Sequence, residues 1–271
     1  MRAVGVIPAR FGSTRFPGKP LVMIAGKPLL QHVIEGAKQA KRLVEILVAT
    51  DDERISNLAA KCGVRAIMTD SALPSGTDRT WAALQSADLT DVDVVVNIQG
   101  DEPLVEGEPL DALVRAFESN PKTEMATLGR EFDFSNPESL TALNAHSTAK
   151  IIVTKDDQAL YFSRFPIPFS RVPAGDSEKF RQVTLGAKRS VLKHVGIYAF
   201  RPTFLKQFCD APPCELEMYE GLEQLRALHL GGAIHVVRTR HESWGVDTPE
   251  DVEKIEKMLA AVQKKTRGTH G

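Results

Sequence analysis

Along the N-terminal half of the chain, short apolar runs alternate with stretches whose apolar positions recur at helical spacing. Val4–Ile7, Ile46–Ala49, Val64–Met68 and the valine-rich Asp93–Gln99 read as strands. Pro28–Ala40 places Leu29, Leu30, Val33, Ile34 and Ala37 on one face, and Glu53–Cys62 and Thr77–Ala87 read as helices too. Pro28 suits a first helical turn and Gly63 a C-terminal cap. The strand runs are continuously apolar instead of alternating, which is the pattern of a parallel sheet covered on both faces. Ligands of such sheets bind beyond the carboxyl ends of the strands. Arg10, Asp51 and Asp101 all fall at such ends.

The second half changes character. Ala149–Thr154, the polar turn Lys155–Gln158 and Ala159–Ser163 leave no room for a crossover helix and read as a hairpin, so the sheet is mixed. Strand His194–Phe200, helix Pro202–Cys209, helix Glu215–His229, strand Ala233–Arg238 and helix Pro249–Val262 follow. The last helix has a readable start: Thr248 as N-cap, Pro249 in the first turn and Asp251 as the returning acid of a capping box. Residues 166–176 form the one long irregular segment, suited to a lid or an interface arm. The expected fold is therefore α/β. It is a Rossmann-like, three-layer α/β/α arrangement with a mixed, mostly parallel sheet and an antiparallel hairpin subdomain. Residues 1–262 are expected to form a single domain, with the smaller hairpin or dimerisation region at 130–200 and a flexible basic tail at 263–271.

Composition narrows the function class. With 271 residues, 42% hydrophobic and 25% charged, the chain can bury a sizeable core. Lys+Arg 34 against Asp+Glu 35 leaves a net charge of -1, so the global balance favours neither nucleic acid nor an anionic membrane as partner. Local basic clusters must be read as sites. Cys62, Cys209 and Cys214 make neither a zinc pattern nor an even disulfide set, as expected in a reducing cytosol. No run has the length of a membrane span, and the N-terminal apolar run is too short for a signal-peptide core. The expectation is a cytoplasmic protein.

The chemistry concentrates in Pro8–Leu21, where Gly12 and Gly18 alternate with Arg10, Arg15 and Lys19 directly after a strand. Glycine lets backbone approach a ligand and the cations supply charge-assisted donors, which is how a loop holds phosphates. It is not the common phosphate loop, because Gly12 and Gly18 are wrongly spaced and Pro20 follows Lys19. Magnesium takes one or two carboxylates together with waters and phosphate oxygens. Asp101, at a strand end, and Asp247, in the turn Gly245–Thr248, are the candidates. Ser75-Gly76-Thr77-Asp78-Arg79 sets small polar groups and a cation at a helix start, where capping alone accounts for Ser75 or Thr77. Taken singly, His194, Arg164 and the pair Glu223-Gln224 read as structural.

Taken in order, these blocks resemble one family, the 3-deoxy-manno-octulosonate (Kdo) cytidylyltransferases, or CMP-Kdo synthetases. The likeness runs through Ile7-Pro8-Ala9-Arg10, Ser13-Thr14-Arg15, Pro17-Gly18-Lys19-Pro20-Leu21, Val48-Ala49-Thr50-Asp51, Ser75–Arg79 and Val96–Pro103. It continues through Ala159–Arg164, Ile167-Pro168, His194–Tyr198, Leu222–Arg226 and Gly245–Asp251. The resemblance implies transfer of CMP from CTP to the anomeric hydroxyl of Kdo for lipopolysaccharide assembly, with magnesium dependence and a homodimer. It implies that Arg10 and Lys19 hold the triphosphate, with Lys19, Asp101 and Arg10 as catalytic residues and Asp101 and Asp247 as the metal ligands. Ala9, Ser13, Arg15, Ser75, Gly76 and Arg79 would bind the nucleotide, and Gln99, Arg164, His194, Tyr198, Glu223 and Gln224 the sugar. The rival readings are CMP-sialate synthetase and a non-catalytic nucleotide-sugar-binding protein. One departure stands out: Asn144-Ala145-His146-Ser147-Thr148-Ala149 replaces the family's usual turn before Lys150.

Overall fold

The computed structural model describes residues 1–12, 16–133, 136–169 and 190–268. It resolves into two compact units, Met1–Asp111 with Ser243–Gly271, and Ala112–Glu242.

In the first unit, β1 (Ala3–Pro8) lies between β4 (Leu43–Thr50) and β6 (Val94–Asn97), and β5 (Arg65–Met68) extends the sheet beyond β4. All three pairings are parallel. Val4, Val6, Ile7, Leu47, Val48 and Val94–Val96 are fully buried, as continuously apolar strands require. A small antiparallel pair, β2 (Met23–Ile24) and β3 (Lys27–Pro28), precedes α1 (Leu29–Ala37). Helices α2 (Glu53–Lys61) and α3 (Gly76–Ser86) pack on the sheet. Asp52 caps α2 and Ser75 caps α3, each side chain accepting a backbone N–H two or three residues on.

The helix α4 (Gly107–Ser119) carries the chain into the second unit. There β7 (Met125–Glu131), the helix α5 (Pro137–Asn144), β8 (Lys150–Val153), β9 (Ala159–Ser163) and β10 (Val191–Phe200) follow, then the helices α6 (Pro202–Asp210), α7 (Glu215–Glu220) and α8 (Gln224–His229), and β11 (Ile234–Thr239). β10 pairs antiparallel with β7 and β8, β8 pairs antiparallel with β9 as the expected hairpin, and β11 lies parallel to β7. The mixed α/β class expected from the sequence is the one formed. The chain returns to the first unit and ends in α9 (Pro249–Gly268), whose start has the expected box: Asp251 Oδ2 accepts the Thr248 N–H at 3.0 Å.

Among the differences from the sequence reading, two concern the C-terminal helices. The predicted helix Glu215–His229 is two helices, because Gly221 adopts a left-handed φ of 61° that closes α7 and lets the chain turn before α8. α9 runs past the predicted end at Val262 to Gly268. Residues 170–176 of the expected lid or arm lie outside the described residues, as do Ser13 and Arg15.

Candidate functional site

The cleft of the first unit, about 300 Å³ in volume, opens where β1 and β6 end. Its walls are Pro8–Arg10, Lys19-Pro20, Leu73–Gly76, Arg79, Gln99–Asp101 and Asp247. Local backbone geometry explains why residues so far apart in sequence meet there. Ala9 N–H donates to Ala49 O at 2.8 Å, which holds the exit of β1 against β4. A Cβ at Gly100 would collide with the Pro8 carbonyl oxygen, so only glycine lets the turn after β6 lie against the turn after β1. Val246 N–H donates to Asp101 O at 2.9 Å, which ties the segment before α9 to that same turn.

The result is a convergence of charge. Lys19 Nζ donates to Asp101 Oδ2 at 2.7 Å and to Asp247 Oδ1 at 3.4 Å. The Lys19 side chain is 14% exposed, and those of Asp101 and Asp247 are 32% and 48% exposed. Two carboxylates meeting at one cationic nitrogen in an open cleft fit magnesium, which draws its other ligands from water and phosphate. Among the described residues no group of three or more His, Cys, Asp or Glu could hold a metal ion.

The basic loop is anchored at both ends. Gly18 N–H donates to Phe11 O at 2.9 Å, and Phe11 N–H donates to Asp51 Oδ1 at 3.3 Å. The Phe11 ring lies under the Arg54 guanidinium at 3.6 Å and against Gly18, whose φ of 71° suits glycine. Arg10 and Lys19 are thereby fixed on either flank. Arg79, 2% exposed, reaches Thr69 Oγ1 at 2.6 Å and Asp51 at 3.5 Å. Burial pushes its guanidinium below the usual range while Asp51 opposes that shift. Ser75 is both the cap of α3 and part of the cleft wall, which brings the amino end of a helix to the site.

Of the residues expected to bind sugar, Gln99 lines this cleft. Arg164, His194, Tyr198, Glu223 and Gln224 belong to the second unit. There His194 Nε2 lies 3.0 Å from Thr127 Oγ1, which itself donates to Ile197 O at 3.0 Å. Tyr198 OH donates to Gln224 Oε1 at 3.0 Å, and Gln224 Nε2 faces His194 Nδ1 at 3.5 Å. Nδ1 facing a donor leaves the ring proton on Nε2, donated to Thr127. Burial, then the charge of Arg164, lowers the His194 pKa to about 3. Arg164 donates to the carbonyls of Glu220, His146 and Gly221, and its backbone N–H to the Glu220 carboxylate. Glu223 is half-buried at the start of α8.

Lys150 is fully buried, with its ammonium donating to Ala145 O at 2.9 Å, Thr148 O at 2.7 Å and Arg164 O at 2.5 Å. The atypical turn before it thus contributes backbone carbonyls, which do not depend on side-chain identity. Burial lowers the Lys150 pKa, opposed by Glu220. The sequence pointed to neither this cage nor Thr127 as a partner of His194. Leu73 and Pro74 were also missed as cleft walls, although they immediately precede the Ser75 block.

A protein-family model described as "Cytidylyltransferase" matches residues 4–255. The chain belongs to this family. A relative from Bdellovibrio bacteriovorus, named 3-deoxy-manno-octulosonate cytidylyltransferase, is 51% identical over 96% of this chain and 99% of its own length. A relative from Shewanella baltica, named 8-amino-3,8-dideoxy-manno-octulosonate cytidylyltransferase, is 42% identical over 96% of this chain and 99% of its own. A solved structure described as CMP:2-keto-3-deoxy-manno-octonic acid synthetase complexed with CTP superposes with a TM-score of 0.83 at 37% identity, covering 96% of this chain and 99% of that one. The resemblance read from the motifs is therefore borne out. This family member is a nucleotidyltransferase with an α/β nucleotidyltransferase fold. No helix among the described residues is long and apolar enough to cross a membrane.

Proposed function

We propose that the chain transfers CMP from CTP to the anomeric hydroxyl of Kdo, giving CMP-Kdo and pyrophosphate for lipopolysaccharide assembly. The observation that carries the reading is the meeting of Lys19, Asp101 and Asp247 in a cleft that Arg10, Arg79 and the amino end of α3 also line. In-line attack on the α-phosphorus needs little covalent help from protein; it needs positioning and compensation of charge on the phosphate oxygens and the leaving pyrophosphate. Arg10 and Lys19 are suited to the triphosphate, and Ala9, Ser75, Gly76 and Arg79 to the nucleotide. Ser13 and Arg15 are assigned to the nucleotide by resemblance alone. Asp101 and Asp247 would hold magnesium, which when bound would supply positive charge to offset the phosphate oxygens. Gln99, Arg164, His194, Tyr198, Glu223 and Gln224 are assigned to the acid sugar by resemblance alone.

On this reading residues 1–262 act as one catalytic domain, in a cytoplasmic homodimer. Three cysteines, Cys62, Cys209 and Cys214, with no disulfide among them, suit a reducing compartment. The test is pyrophosphate release with CTP and magnesium and one of three acceptors: Kdo, its 8-amino-8-deoxy analogue or sialic acid. Turnover with Kdo well above the other two is expected. Preference for the amino sugar or sialic acid would reassign the acceptor, and no release with any of them would overturn the reading.

A further inference from the structure

We propose that Lys19 is the resident counter-ion of the metal-binding carboxylates, and that a divalent cation displaces it instead of joining it. This rests on the reading of Asp101 and Asp247 as magnesium ligands. The Lys19 ammonium engages one oxygen of each carboxylate, at 2.7 Å and 3.4 Å. Those are the oxygens best placed for a shared cation, and two cations cannot use the same lone pairs at bonding distance.

The backbone on every side is held, so the exchange falls to the Lys19 side chain. Asp101 is tied through its carbonyl to Val246 N–H, and Asp247 N–H donates to Asp251 Oδ2 at 3.1 Å. Lys19 itself opens a single 3-10 turn, Lys19–Leu21, closed by Leu21 N–H to Gly18 O and Val22 N–H to Lys19 O. Its long unbranched stem can swing without disturbing that turn.

The same cleft offers the displaced ammonium a second anionic partner. Arg10, Arg79 and Lys19 line it together, and a triphosphate bound there has oxygens for all of them. A metal arriving alone must strip Lys19 from both carboxylates and leave it uncompensated. A metal arriving with a triphosphate finds Lys19 already drawn to phosphate. Metal and triphosphate therefore bind cooperatively, and by linkage each strengthens the other by the same factor. Without nucleotide Lys19 offsets half of the pair's charge and occupies one oxygen of each carboxylate, so the free protein holds a divalent cation weakly.

The test uses Mn²⁺ alone, with no nucleotide, on the full chain, read by electron paramagnetic resonance or calorimetry. Lys19→Met is expected to bind Mn²⁺ at least tenfold more tightly than wild type, and Lys19→Arg, which keeps a cation there, to remain as weak as wild type. Arg10→Met removes the same charge from the cleft without touching the carboxylates and is expected to gain less than threefold. Adding Asp101→Asn to Lys19→Met should abolish the gain. Circular dichroism melts establish that each variant is folded, and Lys19→Gln stands in if Lys19→Met is not. Unchanged or weaker Mn²⁺ binding in the neutral variants, an equal gain from Arg10→Met, or a gain that survives Asp101→Asn would each overturn the proposal. The functional reading fails separately, by the absence of pyrophosphate release from wild type with any acceptor.

Discussion

Lys150 and Asp101 show how differently two charged residues can be used in one chain. The Lys150 ammonium is enclosed and satisfied by three backbone carbonyls. Lys150→Met would leave those carbonyls unpaired, and loss of about 3 kcal/mol in urea unfolding is expected, with a loss below about 1 kcal/mol counting against the cage. Asp101 faces an open cleft, where its charge is available to a ligand. Asp101→Asn should lower kcat by roughly a hundredfold or more while the Kd for CTP measured without a divalent cation changes by less than about threefold, because an interaction felt mainly in the transition state appears in turnover. Equal losses in both would assign Asp101 to ground-state nucleotide binding. Legibility follows the same division. Arg10, Lys19, Asp101 and Asp247 were readable as candidates because cations and isolated acids at strand ends are scarce and chemically specific. The Lys150 cage was not, since its acceptors are carbonyls that every residue owns.

At the scale of elements, close backbone approach decides what propensity does not. Gly36 lies inside α1, where alanine is intrinsically the better helix former by about 1 kcal/mol. A Cβ there would strike the Val105 carbonyl oxygen and crowd its Cγ1 at 3.0 Å. Packing is expected to outweigh propensity, so Gly36→Ala should lower stability by about 2 kcal/mol in chemical unfolding, and any stabilisation would show that the Val105 segment yields freely. The parallel strands and α1 to α3 were legible because period and burial agree in them. α4 and α5 were overlooked although Leu110, Leu113, Val114 and Phe117 recur at helical spacing and Asn136-Pro137 is a capping start. β7 is harder to read: Thr127 and Gly129 interrupt its apolar run. Gly129 is required because a Cβ would press on Leu192 and Val236, side chains of the two strands flanking β7, at 2.7 Å. The break between α7 and α8 was hidden for a similar reason. Glu215–Glu220 and Gln224–His229 both consist of residues that a helix accepts, and only the left-handed conformation of Gly221 divides them.

For the whole molecule, buried polar groups and exposed apolar ones make opposite claims. His194 stays neutral in the fold, with a pKa lowered to about 3 from 6.5. Between those values the unfolded chain takes up the proton and the folded chain does not, so acid favours unfolding. Stability should fall as the pH drops from 6.5 towards 3, His194 contributing a slope of up to about 1.4 kcal/mol per pH unit. His194→Gln should flatten that part of the curve relative to wild type; identical slopes would place a titrating histidine in the folded state. The apolar claim concerns assembly. Among the described residues, large apolar side chains are exposed in both units, and the second carries the most exposed: Phe169 at 89% and Tyr219 at 88%, with Phe165 and Met218 at 66%. Large aromatics left in water on one unit favour burial against another surface, and an isologous contact between two copies is the simplest that closes. The expected mass in light scattering is twice the 29.7 kDa of the chain. Phe169→Ser combined with Tyr219→Ser should shift it towards the monomer, while CTP binding persists because every cleft residue belongs to the first unit. A wild-type monomer at micromolar concentration, or a dimer indifferent to both substitutions, would remove these aromatics from the interface.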